Sequence, residues 1–162
     1  MKNTSQKINK EGFTILELIA VMAVITVILG AVLAAVIGAM NQGKVTSTLS
    51  SIKAIQTAAV NFYNGNGGTY ASTGTYGLPL SLANMATENM LPGNVASGTN
   101  AWGGTITVAP DANSSYFDIT LTNVPASAGS GASAPLNLAV ANIVQSAPTY
   151  TAKSQQQWVG VF

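Results

Sequence analysis

The feature that most constrains this chain is the long uncharged run that follows its first lysines. No charged side chain occurs between Leu18 and Met40. A helix needs about 20 mostly apolar residues to cross the hydrocarbon of a bilayer, and this run is long enough. Lys2, Lys7 and Lys10 precede it. Because basic residues tend to stay on the cytoplasmic side, the sequence predicts a membrane helix whose N-terminal flank is cytoplasmic.

A single carboxylate, Glu17, lies at the start of the apolar run. A signal peptide has a shorter apolar region without an acid and a small-residue cleavage site after it, and a plain anchor gives no reason for the acid. An ionised carboxylate costs roughly 3 kcal/mol at the centre of a membrane helix, so such acids are generally functional. A cut between Gly12 and Phe13 would place a new ammonium one helical turn before Glu17. We therefore expect Glu17 to pair with that amine, within one subunit or between neighbouring helices.

The residues around this site closely resemble the class III leader and N-terminal helix of type IV pilins and related pseudopilins. The resemblance is carried by Lys10-Glu11-Gly12-Phe13-Thr14-Ile15-Leu16-Glu17 and the apolar run that follows. It implies that residues 1–12 are a leader peptide, that a prepilin peptidase cleaves between Gly12 and Phe13, and that the Phe13 amine is N-methylated. An ordinary single-pass anchor with a chance acid is the alternative.

One long helix is expected after the leader. Residues 13–40 form its apolar transmembrane or filament-core half, and residues 41–63 form an amphipathic half with one buried face. The periodic apolar residues of the second half are Val45, Leu49, Ile52, Ala59 and Phe62 or Tyr63. The Asn64–Gly68 cluster should end the helix, since Gly and Asn accept the left-handed conformation. With the resemblance, this predicts the α+β pilin fold, in which the helix packs on a small antiparallel sheet.

Residues 64–101 are expected to form a connecting αβ-loop with one short helix. Ser81 is placed to cap this helix, and Pro92-Gly93 to stop it. Three tyrosines are expected to pack the loop onto the head, with an exposed adhesive patch as the alternative: Tyr63, Tyr70 and Tyr76.

Residues 102–162 are expected to form the β-sheet head. Alternation in Thr105–Val108 and Tyr116–Val124, around a turn at Pro110–Ser115, predicts a hairpin. The segments Asn100–Thr105 and Ile119–Pro125 resemble the head of type IVb pilins, although those relatives usually carry cysteines that this chain lacks.

The rest of the head reads as a loop, a helix and two strands. Ala126–Ala134 is low in complexity and is expected to be flexible. Pro135 suits the first turn of a helix near 135–145. Thr149–Lys153 and Trp158–Phe162 are expected to be the last strands, the latter in the core rather than in a ligand site.

Oxygen-bearing side chains alternate near the predicted hairpin turn. They are Asp111, Asn113, Ser115 and Asp118. The stretch lacks the turn Gly and closing Glu of an EF-hand, and Asp and Asn are common turn residues. We therefore expect no metal site, and Asp111, Asn113 and Asp118 remain the candidate ligands if one exists.

Composition argues against several classes of function. The chain has no Cys and no His, and 7% of its residues are charged. It therefore has no disulfide, no thiolate metal site, no histidine base and no basic footprint for nucleic acid. We expect neither an enzyme nor a cofactor.

The resemblance implies a structural subunit, the major pilin of a type IV pilus. The filament would be a homopolymer built by packing N-terminal helices, with Glu17 paired to the Phe13 amine of a neighbouring subunit. The implied partners are the prepilin peptidase, an inner-membrane platform protein and an assembly ATPase. The subunit would lie in the inner membrane before assembly and in the extracellular pilus afterwards. The first alternative is a pseudopilin of a type II secretion system, and the second is a membrane-anchored adhesin that never polymerises.

Overall fold

The computed structural model describes residues 14–112, 115–146, 148–151 and 157–162. The chain divides into two compact units, Met1–Ala39 and Met40–Phe162. The fold class is α+β, as predicted, with a long N-terminal helix and an antiparallel sheet. The helices are α1 (Ile15–Gly65), α2 (Leu82–Thr87), α3 (Gly93–Ala96), α4 (Ala126–Gly129) and α5 (Pro135–Val140). The strands are β1 (Ile106–Pro110), β2 (Phe117–Leu121), β3 (Thr149–Thr151) and β4 (Gln157–Val161).

In the first unit, helix α1 has no buried side chain among the residues described. Every side chain from Ile15 to Ala39 is exposed. Of the helices described, α1 is the one that is long and apolar enough to cross a membrane by length and composition. An apolar surface of this extent requires cover from lipid or from other protein.

In the second unit, helix α1 buries one face. Its buried side chains recur at three- and four-residue steps and are Val45, Thr48, Ile52, Ile55, Ala58, Ala59 and Phe62. Thr48 takes the place expected for Leu49, which is only half-buried. The helix ends at Gly65, inside the cluster of Asn and Gly that was expected to stop it.

Asn66, the first residue after α1, organises the loop that follows. It is fully buried. Its Nδ2 donates to the carbonyls of Thr69 at 2.9 Å and Ala71 at 3.0 Å, and its Oδ1 accepts from the Tyr76 N–H at 2.8 Å. Because one amide satisfies three backbone groups, the loop folds back over the end of the helix.

The three tyrosines pack this loop against the rest of the second unit, as expected. The ring of Tyr70 lies 4.9 Å from that of Tyr63 and 5.1 Å from that of Phe117, and Tyr76 lies 5.2 Å from Phe62. Burial, and then the neighbouring Tyr63, raise the pKa of the Tyr70 hydroxyl. These rings are therefore packing residues rather than an exposed adhesive patch.

The sheet has the order β1-β2-β4-β3 with antiparallel neighbours throughout. The hairpin pairs Val108 with Ile119, and β2 pairs Leu121 with Trp158. Burial alternates along β2 and β4, so one face of the sheet lines the core. Trp158 is fully buried there, which confirms the core interpretation of the C-terminal run.

Two expectations for the middle of the chain need correction. Helix α2 has the predicted Ser81 cap, whose Oγ accepts from the Asn84 N–H at 3.1 Å, but it ends at Thr87. The reason is local, since Asn89 adopts the left-handed conformation (φ 54°). Pro92 then occupies the position before the first residue of α3 rather than stopping α2, and its side chain makes no capping hydrogen bond.

The low-complexity stretch Ala126–Ala134, expected to be flexible, contains a short helix, and its flexibility stays a prediction. Its first residues form α4, and Ala128 and Ala134 are buried. Small side chains suit a segment that packs closely on the core. Helix α5 begins at Pro135 as predicted but ends at Val140, short of the expected residue 145.

Candidate functional site

The start of α1 carries a defined helix cap. Thr14 Oγ1 accepts a hydrogen bond from the Glu17 N–H at 3.2 Å, and the Thr14 carbonyl accepts from the Leu18 N–H at 3.1 Å. Thr14 is therefore the N-cap and Glu17 the third helical residue, which is the spacing of the Thr-x-x-Glu capping box. Our reading of the sequence missed this cap, although the motif was present to find.

At this position Glu17 stabilises the start of the helix, independently of any ion pair with an amine. Unsatisfied N–H groups give a helix N-terminus a partial positive charge, and a carboxylate in the first turn is stabilised there by about 0.3–1 kcal/mol. The Glu17 side chain is exposed. An ammonium at residue 13 would be repelled by the same end of the helix, so a nearby carboxylate is the group that would compensate it. Gly12 and Phe13, the predicted processing residues, lie outside the described part of the chain.

The apolar half of α1 provides small residues without a role inside the chain. A Cβ added at Gly30 or Gly38 would meet no atom within 4 Å. Glycine costs about 1 kcal/mol relative to Ala within a helix, so these positions weaken α1. Small residues allow membrane helices to approach closely, which makes this surface suited to other helices.

The candidate metal ligands lie at one end of the hairpin. Asp118 pairs across the strands with Ala109, and Asp111 follows β1. Because Ala109 is two residues before Asp111, this register brings the two acids to the same end of the hairpin, and burial, then the charge of Asp111, raise the pKa of the Asp118 carboxyl. Asn113 lies outside the residues described. Within the residues that could be searched, no group of three or more His, Cys, Asp or Glu side chains is placed to hold a metal.

The first half of α1 is apolar and exposed, its first turn contains a glutamate behind the Thr14 cap, and an antiparallel sheet follows the helix in the chain. This combination defines a pilin-type subunit. Residues 7–33 match the family described as the prokaryotic N-terminal methylation motif, and residues 39–156 match the family described as PilS N terminal. Because the second match covers more than half of the chain, the chain belongs to this PilS family of type IV pilins. Comparison with curated proteins and with solved structures gave no match.

The family assignment confirms the resemblance seen in the sequence. The methylation motif spans the residues that carried it, from the last leader lysines into the apolar run. The chain is therefore a pilin or pseudopilin subunit, and the motif implies processing by a prepilin peptidase.

Proposed function

We propose that this chain is the major pilin of a type IV pilus, a structural subunit that polymerises through its N-terminal helix. One observation carries the proposal, namely that all side chains from Ile15 to Ala39 are exposed although most are apolar. Burial contributes about 25 cal/mol per Å2 of apolar surface, so hiding roughly 1,000 Å2 per helix gains on the order of 25 kcal/mol before entropy costs. A bundle of such helices accounts for a filament without covalent links.

Glu17 would set the register of the bundle by pairing with the Phe13 amine of a neighbouring subunit. The Thr14 cap fixes where the helix begins, and thus where along the axis the carboxylate lies. Breaking a buried ion pair by removing one partner costs about 3–5 kcal/mol, because the other charge is left unpaired. Misregistered subunits would carry that cost at every contact.

The proposal includes a route and a set of partners. The subunit begins in the inner membrane, with the leader in the cytoplasm. It is cut between Gly12 and Phe13 and methylated by the peptidase, then moved into an extracellular filament by a platform protein and an assembly ATPase. It has no catalytic role and requires no cofactor, in keeping with a chain that lacks Cys and His.

The test is mass spectrometry of subunits from fibres sheared off cells that express the native chain. We expect a mature polypeptide that begins with N-methylated Phe13, in fibres composed mainly of this subunit. An uncut polypeptide that stays in the membrane fraction would instead support a non-polymerising adhesin. Fibres that never extend beyond the cell envelope would support a pseudopilin of a type II secretion system.

A variant pair tests the role of Glu17. Glu17→Val should be processed and reach the membrane, yet yield few filaments, because the amine of the neighbouring subunit loses its partner. Glu88→Val, which removes an exposed acid in the loop, is the matched control and should leave the yield unchanged. Normal filament yield from Glu17→Val would contradict the pairing.

A further inference from the structure

A groove of about 580 Å3 runs beside helix α1 in the second unit. Its helix wall is made of small and hydroxyl-bearing side chains, among them Gly43, Ser47, Ser50 and Ala54, and the start of α3 forms the opposite wall. No large side chain fills the helix wall, so a polar segment of another chain has room to approach the helix. The hydroxyl groups of Ser47 and Ser50 provide hydrogen-bond donors for an anionic occupant, whereas those of Thr46 and Ser51 donate to carbonyls of α1.

Two lysines flank this groove. Lys44 and Lys53 are nine residues apart, about two and a half turns of helix, so they leave α1 from opposite sides with the groove between them. Lys53 is exposed and Lys44 is half-buried. No acidic residue occurs in the sequence between Glu17 and Glu88, so the helix around the groove carries positive charge alone.

The hairpin end of the sheet carries the opposite charge. Asp111 and Asp118 lie there, and no basic residue occurs in the sequence between Lys53 and Lys153. The Oδ1 atom of Asp118 is buried and has no hydrogen-bond partner. Burial, and then the charge of Asp111, raise the pKa of the Asp118 carboxyl, so two carboxyl groups lie near each other at this end of the sheet.

We propose that the groove beside α1, with Lys44 and Lys53 on its flanks, receives the Asp111 and Asp118 end of a second copy's sheet. The inference rests on the proposed function, because it requires copies that pack side by side. Charge complementarity selects the occupant, since a second copy supplies the carboxylates that the lysines and serines are arranged to bind. Each subunit then presents one groove and one acidic sheet end, so the contact repeats along a filament.

Cross-linking tests this contact, because the native chain has no cysteine. Lys53→Cys combined with Asp111→Cys in one chain should give a ladder of covalent multimers when sheared filaments are treated with a short bismaleimide. Lys53→Cys combined with Glu88→Cys is the matched control, since Glu88 lies in the loop after α2 rather than on the sheet. Absence of the ladder, or an equal ladder in the control, would overturn the contact.

A charge exchange tests it independently. Lys53→Glu and Asp111→Lys should each lower the filament yield about tenfold, because like charges then face each other across the interface. The two together should restore the yield to within about twofold of native, since the pair re-forms with its signs exchanged. Asp118→Asn, which keeps the side-chain shape, should lower the yield without a loss of folded subunit.

Failure of the inference and failure of the proposed function are distinguishable. If the native chain forms filaments but both charge reversals assemble as well as native, the groove contact is wrong and the pilin proposal stands. If the native chain forms no filaments in a competent host, both are wrong. Unfolding midpoints of the soluble and detergent-extracted variants show whether a lower yield reflects assembly or misfolding.

Discussion

The hydrogen bonds of Asn137 are expected to hold the α4–α5 segment to the sheet, and Asn137→Ala tests this. Asn137 Oδ1 accepts from Trp158 Nε1 at 2.6 Å, and its Nδ2 donates to the carbonyls of Gly129 at 3.1 Å and Gly131 at 2.9 Å. The side chain is 8% exposed, and Trp158 is fully buried. Truncation therefore leaves a buried indole N–H without an acceptor and frees two carbonyls.

The expected cost follows from those bonds. A buried donor left unsatisfied costs about 1–3 kcal/mol, and each of the two lost bonds to glycine carbonyls contributes about 0.5 kcal/mol more, the low end for a neutral hydrogen bond. We expect Asn137→Ala to lower the free energy of unfolding by about 2–4 kcal/mol. With a urea dependence of about 2 kcal/mol per molar for a small domain, the midpoint should fall by roughly 1–2 M.

The assay is urea unfolding of the processed chain in detergent, followed by tryptophan fluorescence. Asn142→Ala is the matched control, since Asn142 is exposed and lies in the turn after α5. Surface substitutions of this kind usually change stability by less than about 0.5 kcal/mol. A double-mutant cycle with Trp158→Phe isolates the bond between the two side chains. If Asn137→Ala shifts the midpoint no more than the control does, the amide does not hold this segment.

Three further predictions concern side chains of the second unit. Thr48→Val should raise the urea midpoint, because it removes a buried hydroxyl that has no hydrogen-bond partner while it keeps nearly the same shape. Gly160→Ala should lower the free energy of unfolding by about 1–3 kcal/mol, since a Cβ would lie 2.7 Å from the Trp158 ring and over-packing carries that cost. The raised pKa of Asp118 means that the folded subunit binds its proton more tightly than the unfolded chain. Stability should therefore fall as pH rises from below 3.8 through the raised pKa, and Asp118→Asn should remove this pH dependence in thermal melts.

The long helix and the sheet were predictable because each rests on a periodic pattern. Apolar residues at three- and four-residue steps gave α1 its buried face, and strict alternation gave the hairpin of β1 and β2. The register of β4 against β2 was not predictable. It depends on where the Trp158 ring finds both a core and the acceptor Asn137, which is 21 residues away in the chain.

What the sequence did not reveal lies in short polar and small-residue segments. Low complexity predicts flexibility for Ala126–Ala134 but does not reveal that Asn137 Nδ2 donates to the carbonyls of Gly129 and Gly131 within it. Composition alone does not reveal such a partner. At the candidate site, the charge of Glu17 marks the acid within an apolar run, whereas the Thr14 cap rests on a four-residue spacing that the hydrogen bond from the Glu17 N–H makes specific.

The two units of this chain are stabilised by different means, and the difference bears on function. The second unit is stabilised by contacts within itself: the amides of Asn66, Asn100 and Asn137 each bond several backbone groups or a buried indole, and a continuous apolar core lies between α1 and the sheet. The first unit has neither, since its described side chains from Ile15 to Ala39 are all exposed and Gly30 and Gly38 weaken the helix. Such a helix is stable only where lipid or other helices cover it. Under the proposed function, a subunit built in this way would carry a folded head from the membrane to a bundle without refolding the head, which is the property that a polymer assembled from membrane-stored subunits requires.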